Sequence, residues 1–310
     1  MRNDAIPLFP AFFSIVLMSA ATFLSLPLRA AGPAETLATI ESLVGLKATH
    51  YPAESVYKVT KPRTDIAVRV DRWPLPPFMG LTTWAAFGPG GRSDVMLTGD
   101  LVVFEDEVNP VMSVLLDGGV QVTALHNHFF FDQPKVYFMH IGGEGTIAAL
   151  APVVRAALAK IDDIRRARPI PGSDFGGVPP PSRNSIAGAA IEASLGFKGE
   201  ARDGMFKVVV GRSTTMDCGC RAGKEMGVNT WAAFAGSDDA ALVDGDFAVL
   251  ESELQSVLKA LRRGGINIVS IHNHMTGEIP RILFLHYWGR GSTADLAATL
   301  RSALDTQQPD

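Results

Sequence analysis

The segment Met79-Gly80-Leu81-Thr82-Thr83-Trp84-Ala85-Ala86-Phe87 returns as Met226-Gly227-Val228-Asn229-Thr230-Trp231-Ala232-Ala233-Phe234. Beyond it a constant offset of 146 residues carries Gly99-Asp100 onto Gly245-Asp246, Glu105 and Glu107 onto Glu251 and Glu253, and Gly118-Gly119 onto Gly264-Gly265. A chain that repeats itself folds as two copies of one unit, so its architecture must be one that can be built twice. Upstream the match is looser, with Tyr57-Lys58-Val59 and Arg63 resembling Phe206-Lys207-Val208 and Arg212. Between the copies, Arg168 to Gly172 and Gly177 to Pro181 are rich in Pro and Gly. Proline fixes φ and removes a backbone donor, so this stretch reads as an extended linker. These features place a first repeat over residues 35–165, a linker over 166–185 and a second repeat over 186–310.

Periodicity supplies the elements of each copy. Trp84 to Phe87 and Asp100 to Phe104 read as strands, and Pro110 to Leu116 is apolar at helical spacing before the Gly118-Gly119 stop. Val120 to His128 reads as a strand, Lys135 to His140 as its hairpin partner, and Thr146 to Ile161 as a closing helix whose counterpart is Ser292 to Leu304. The order β-β-α-β-β-α predicts an α+β fold of two ferredoxin-like or related antiparallel domains, with helices on one face of each sheet. Trp84 and Trp231 are expected to anchor the two cores, the default for an aromatic in an apolar strand; a flat platform for a sugar or aromatic ligand is the other role.

Residues 5–28 carry no charge and lie between Arg2 and Arg29, with Ala30 and Ala31 as small residues for cleavage. This is a signal-peptide pattern over residues 1–30, which implies export to the periplasm or beyond. An uncleaved membrane anchor is the alternative, since the stretch is also long enough to cross a bilayer. No cysteine lies near the cleavage region, so a thioether lipid anchor is not expected. With 28 basic against 32 acidic residues, the 310-residue chain lacks the positive balance of a nucleic-acid binder.

Six of the seven histidines form two triplets with identical spacing: His126, His128 and His140, then His272, His274 and His286. Residues two apart on a strand share a face, so His126 and His128 can present their rings together. A hairpin turning around Asp132-Gln133-Pro134 would set His140 opposite His126. Three converging imidazoles suit a transition metal that keeps a position open for water, zinc first. Two other readings stand beside this one: buried or stacked rings bonded to acidic residues, and a metal-free acid-base pair. His-Asn-His also invites comparison with a metal nuclease, but here both histidines lie on one strand.

The carboxylates are assigned by position. Glu105 and Glu251 are candidate catalytic bases for a metal-bound water, Glu107 and Glu253 candidate ligands or supports, and Asp132 and Glu278 matching loop carboxylates of the same kind. For each Glu pair, a solvated strand end or the first turn of a helix is an equal alternative. Asp100 and Asp246 follow glycine and read as turn markers. Arg63 and Arg212 are weak candidates for holding an anion. Gly142, Gly143 and Gly145, with Gly289 and Gly291, read as tight strand-to-helix turns, or as an anion nest at a helix start. Cys218-Gly219-Cys220 occurs only in the second copy and offers a small strained disulfide or a soft-metal pair. Trp73 to Phe78, absent from the second copy, reads as a binding loop or a proline-braced cover.

The paired Trp-Ala-Ala-Phe strands, the Gly-Asp segments and the doubled His-Asn-His hairpins resemble the LppY/LpqO family of bacterial exported proteins of unknown function, over nearly all of residues 35–306. Many members look like lipoproteins, whereas this chain lacks the lipobox cysteine. The resemblance implies an exported context and no particular reaction. The expectation is an exported metal-dependent enzyme of hydrolase type acting on a small molecule or envelope component. The alternatives are a non-catalytic periplasmic metal- or ligand-binding protein and a structural envelope module.

Overall fold

The computed structural model describes Met1, residues 32–177 and residues 179–308. The export segment over residues 5–28 lies outside the described residues. The elements below all belong to the compact unit Pro33–Asp310.

The first copy supplies helix α1 (Pro33–Val44), strands β1 (Ala48–Tyr51), β2 (Val56–Pro62), β3 (Thr82–Pro89) and β4 (Val95–Phe104), helix α2 (Glu105–Asp117), strands β5 (Gln121–His126) and β6 (Val136–Gly145), and helix α3 (Ile147–Ala167). The second copy repeats the order: α4 (Gly188–Leu195), β7 (Gly199–Arg202), β8 (Met205–Gly211), β9 (Asn229–Ser237), β10 (Ala240–Leu250), α5 (Leu254–Arg263), β11 (Asn267–His272), β12 (Ile282–Gly291) and α6 (Thr293–Leu304). The fold is therefore α+β and internally duplicated, as the periodicity predicts.

The two copies share one 12-stranded sheet in the order β1-β2-β3-β4-β6-β5-β11-β12-β10-β9-β8-β7. It reads the same from either end once each strand is exchanged for its repeat. The centre is the antiparallel contact of β5 with β11, where Leu125 faces Ile271. These two residues are each other's counterparts, so a pseudo-twofold axis passes between them. The interface is isologous: what α2 gives to β11, α5 gives to β5. Both strands carry a bulge, at Val122/Ala124 and Ile268/Ser270. Asn109 of α2 donates to the carbonyl of Ile268 and accepts from its amide, at 3.1 and 2.8 Å. Gln255 of α5 does the same for Val122, at 2.8 and 3.0 Å. A bulge leaves backbone groups without a ladder partner, and these two amides satisfy them across the seam.

Helices cover one face only. Alternate strand residues such as Phe87, Leu101, Val103, Met139 and Ile141 are buried there with Val111, Leu115 and Ala151. The intervening residues point to the other face, where small sheets cap one end of each copy. Val68–Val70, Trp73–Leu75 and Asp132–Gln133 form the cap of the first copy. Its Val68, Leu75 and Leu81 pack on Val102, Phe104 and Phe138. The Trp73 to Phe78 run is thus a cover, although Phe78 itself remains exposed. The second copy has the hairpin Thr214–Thr215 and Arg221–Ala222.

The segment between α3 and α4 is fastened to both copies. Gly172 donates its amide to Asp106, and Arg290 donates to the carbonyl of Gly176 at 2.8 Å. Helix α3 runs on to Ala167, taking in the first two residues of the expected linker. No helix among the described residues is long and apolar enough to cross a membrane.

Candidate metal centres and an adjoining cleft

Both histidine triplets gather on the sheet face away from the helices. In the first copy, the ring centroids of His128 and His140 lie 5.1 and 5.0 Å from that of His126. In the second, those of His274 and His286 lie 5.1 and 4.7 Å from that of His272. These ring contacts run within each copy. The seventh histidine, His50, stacks on Tyr57.

The pairing register differs from the expectation by two residues. His126 lies opposite Phe138, and His140 opposite Ala124; His272 likewise lies opposite Phe284. The hairpins are centred one residue earlier than expected, on Asp132 and Glu278. Each of these side chains accepts from the amide four residues on, Val136 at 2.6 Å and Ile282 at 3.2 Å. They set the turn and stand outside the Asp246, His272 and His274 group, although Glu278 Oε2 is also buried with no hydrogen-bond partner. A shift of two keeps every side chain on its face, so the triplets still converge. It also brings a phenylalanine beneath each cluster. His128 lies flat on Phe138 with centroids 3.3 Å apart, and His274 on Phe284 at 3.5 Å.

The carboxylate in each cluster is an aspartate read from sequence as a turn marker. Asp100 pairs with Trp84 on one side and His140 on the other. Asp246 pairs in the same way with Trp231 and His286. Both lie inside long strands, and the preceding glycine serves a different end. A Cβ at Gly245 would fall 2.1 Å from the Tyr287 hydroxyl and 2.3 Å from the Trp231 carbonyl, so the strands close only over glycine. Asp246 Oδ2 is 3.2 Å from His274 Nε2, and Asp246, His272 and His274 each place a ligand atom within 4.8 Å of the others. The Oδ1 atoms of Asp100 and Asp246 are buried with no hydrogen-bond partner. A buried carboxylate oxygen left in this state costs free energy that a cation would recover.

Nitrogen spacing matches the same chemistry. Two imidazoles bound to one ion at 2.0–2.1 Å, about 90–110° apart, have nitrogens roughly 2.9–3.4 Å apart. His126 and His140 hold their Nε2 atoms 2.9 Å apart, and His272 and His274 3.2 Å apart. Burial holds His128 below the ordinary imidazole value, with the His126 and His140 rings pushing the same way against Asp100. Burial does the same for His272, opposed by Asp246 and helped by His286 and His274. Neutral rings keep the lone pair a metal needs. The Met-Gly repeat closes the rim: Gly227, in the left-handed region at φ +84°, sets its carbonyl 3.4 Å from His274 Nδ1.

The other sequence candidates go elsewhere. Glu107 is fully buried between Arg63, at 2.7 and 3.0 Å, and Arg165, and accepts from the Phe104 amide. Glu253 is held by Arg212 and by the amides of Leu250 and Gln308. These pairs lock the start of α2 and α5 to the sheet. Glu107 and Glu253 are not ligands, and Arg63 and Arg212 are not anion sites, because each charge is already neutralised. Glu251 is exposed in the turn before α5. Glu105 opens α2 and faces the second copy rather than its own triplet. It lines a cleft of about 400 Å³ together with Tyr137 from its own copy and Asp244, His286 and Trp288 from the other. Burial raises its carboxyl above the ordinary range, against Lys135 and aided by Asp132 and Asp106.

Three further expectations are corrected. Trp84 and Trp231 are half-buried on the histidine face, under the ammonium groups of Lys58 and Lys207 at 4.4 and 4.3 Å; Phe87 and Phe234 fill the cores instead. The glycines after His140 and His286 belong to β6 and β12, where Gly143 and Gly145 admit Leu150, and Gly289 and Gly291 admit Leu296, against the strands. Cys218 and Cys220 are free and exposed, with the Cys218 thiol drawn below its ordinary value by hydrogen bonds from Cys220.

No curated protein sequence matches the chain. Among solved structures, a crystal structure of a trimeric bacterial microcompartment shell protein PduB matches at 13% identity over 84% of this chain and 89% of that one, with a TM-score of 0.18. The structure of the double ringed trimeric shell protein MSM0271 from the RMM microcompartment matches at 10% identity over 68% and 81%, with a TM-score of 0.18. The family described as Domain of Unknown Function (DUF1259) matches residues 38–160 and 189–306, once per copy. With most of both repeats covered, the chain belongs to that family.

Proposed function

We propose that the protein is an exported metal-dependent hydrolase with one transition-metal site in each copy, zinc being the first choice for the metal. The observation that carries this reading is the meeting of Asp246, His272 and His274 within 4.8 Å beside an unpartnered buried carboxylate oxygen. Nitrogen and carboxylate donors in this number fit a borderline divalent ion with a position left for water or substrate. The donor sets are His126, His128, His140 and Asp100 in one copy, and His272, His274, His286 and Asp246 in the other.

A bound metal would lower the pKa of water and polarise a substrate oxygen. The chain's own groups supply the rest. Phe138 and Phe284 fix the ring planes. Glu105, with its raised carboxyl, lines the cleft that reaches His286 and is the proposed proton carrier there. Hydrolysis is therefore assigned to the second centre, which the Glu105 cleft adjoins, and the first is read as a metal site. Export rests on the uncharged segment over residues 5–28, and the LppY/LpqO resemblance is in keeping with it.

Metal analysis of purified protein tests the reading, comparing wild type with His128→Ala and His274→Ala. Two ions per chain, falling to about one in each variant, are expected. Protein that stays metal-free after reconstitution with Zn, Mn, Fe, Ni or Cu would overturn the proposal. Bound metal without turnover of ester, amide and phosphate test substrates would favour a non-catalytic binding protein.

A further inference from the structure

The cleft beside the second centre continues into another lobe of about 270 Å³, and both lobes are lined by Glu105, Asn109, Phe175 and Asn267. The groove runs along β11 where β5 has already ended. Its size suits a small organic molecule. The first lobe carries Tyr137, Phe175 and Trp288. The second is lined by Arg168 and Arg262, together with Asp174 and with Asp106, whose charge Arg165 takes up.

Half-buried Arg262 differs from the buried arginines of this chain. Arg63, Arg165 and Arg212 each hold a carboxylate. Among the described residues, Arg262 donates only to neutral acceptors: Ser113 Oγ at 3.2 Å, the Ile266 carbonyl at 2.8 Å and Asn267 Oδ1 at 2.9 Å. Burial alone pushes its guanidinium down to about 10. A partly desolvated guanidinium with no counter-charge gains from any anion that can reach it, and its planar donors match a carboxylate or phosphate.

The repeat adds an independent observation. Arg262, Asp244 and Trp288 stand where the first copy has Leu116, Thr98 and Gly142. Asp244 pairs with Trp288 in the same register as Thr98 with Gly142, so the fold does not require the change. The histidines and aspartates stayed the same in both copies, while the cleft lining changed in one.

We infer that this groove binds an organic anion with a flat apolar body, the body among Tyr137, Phe175 and Trp288 and the anionic group on Arg262. Arg262 orients it: with the anionic group on that guanidinium, the apolar body extends along the groove toward Trp288 and His286. The inference rests on the proposed metal site only in naming this molecule as the substrate class; the binding itself needs no metal.

The test is calorimetric titration of the full chain with 2-naphthoate, 2-naphthamide and 2-naphthylmethylammonium, each with and without EDTA. Saturable 1:1 binding of the carboxylate is expected, at least tenfold tighter than the amide or the amine and within about threefold after chelation. Arg262→Gln and Trp288→Gly should each weaken it at least tenfold, with the exposed neighbour change Arg263→Gln leaving it unaltered. If Arg262→Gln unfolds, Phe175→Ala, in the exposed linker, decides by a loss of at least fivefold. Equal binding of amide and carboxylate, preference for the amine, an unaffected Arg262→Gln, or no binding at all would overturn the inference. Loss of binding on chelation would overturn it too, by placing the anion on the metal. Protein that takes up no metal on reconstitution yet binds 2-naphthoate would instead sink the metal reading and leave this one standing.

Discussion

At Asp246 a carboxylate is held in the strand interior, 2% exposed, with one oxygen near His274 and the other without a partner. Such an arrangement is costly in the empty protein and rewarded when a cation binds. Asp246→Asn is therefore expected to remove about one metal equivalent and weaken that site at least tenfold, without lowering the melting temperature of the chelated protein. Metal titration and thermal unfolding with EDTA check the two halves of this expectation. Glu253 illustrates the opposite case, a buried carboxylate fully engaged. Burial raises its pKa, but the bonds from Arg212, Leu250 and Gln308 outweigh that and leave it below the ordinary range. A depressed folded-state pKa contributes stability above the unfolded value, about 4.3, that is lost as pH falls through the folded value. Urea midpoints should thus fall between about pH 5 and 3, and Glu253→Gln should flatten that fall while costing about 3–5 kcal/mol at pH 7.

Among the elements, the bulged strands at the seam depend on side chains from the opposite copy. Asn109→Ala would strand the buried amide and carbonyl of Ile268, at a cost of about 1–3 kcal/mol. Hydrogen exchange at the Ile268 amide should accelerate by the corresponding factor, and Gln255→Ala should do the same at Val122. Gly245 sets a second limit. Gly245→Ala drives a methyl into the Tyr287 hydroxyl and the Trp231 carbonyl, so a loss of about 1–3 kcal/mol or more is expected in denaturant titration.

In the whole molecule, the pseudo-twofold seam makes each copy the other's edge protection. A β11 strand without β5 would present open backbone groups and an Ile271 meant to be buried. Because the seam is self-complementary, the isolated second repeat, residues 186–310, is expected to dimerise through β11 or to fail to fold. Light scattering with size exclusion distinguishes these; a stable folded monomer would show that the seam is dispensable.

Much was legible in the chain alone, for a physical reason. Duplication, strand alternation and helical spacing are local, and so are the Gly118-Gly119 stop and the spacing of each histidine triplet. A two-residue register error left the triplets intact because strand side chains alternate with period two. Distant partners were not legible. Glu107 and Glu253 went to arginines about forty residues or more away in sequence, Arg63 and Arg212 just past β2 and β8 and Arg165 in α3, Asp100 and Asp246 were set beside imidazoles by cross-strand pairing, and Trp84 faced outward because the helices lie on the other side. Glu105 lines the other copy's cleft because the central strands pair antiparallel about Leu125 and Ile271, a relation that no local pattern encodes. The sequence by itself determined the repeated unit and its histidines; tertiary structure decided which charges meet, because burial and counter-charge depend on neighbours that chain order does not supply.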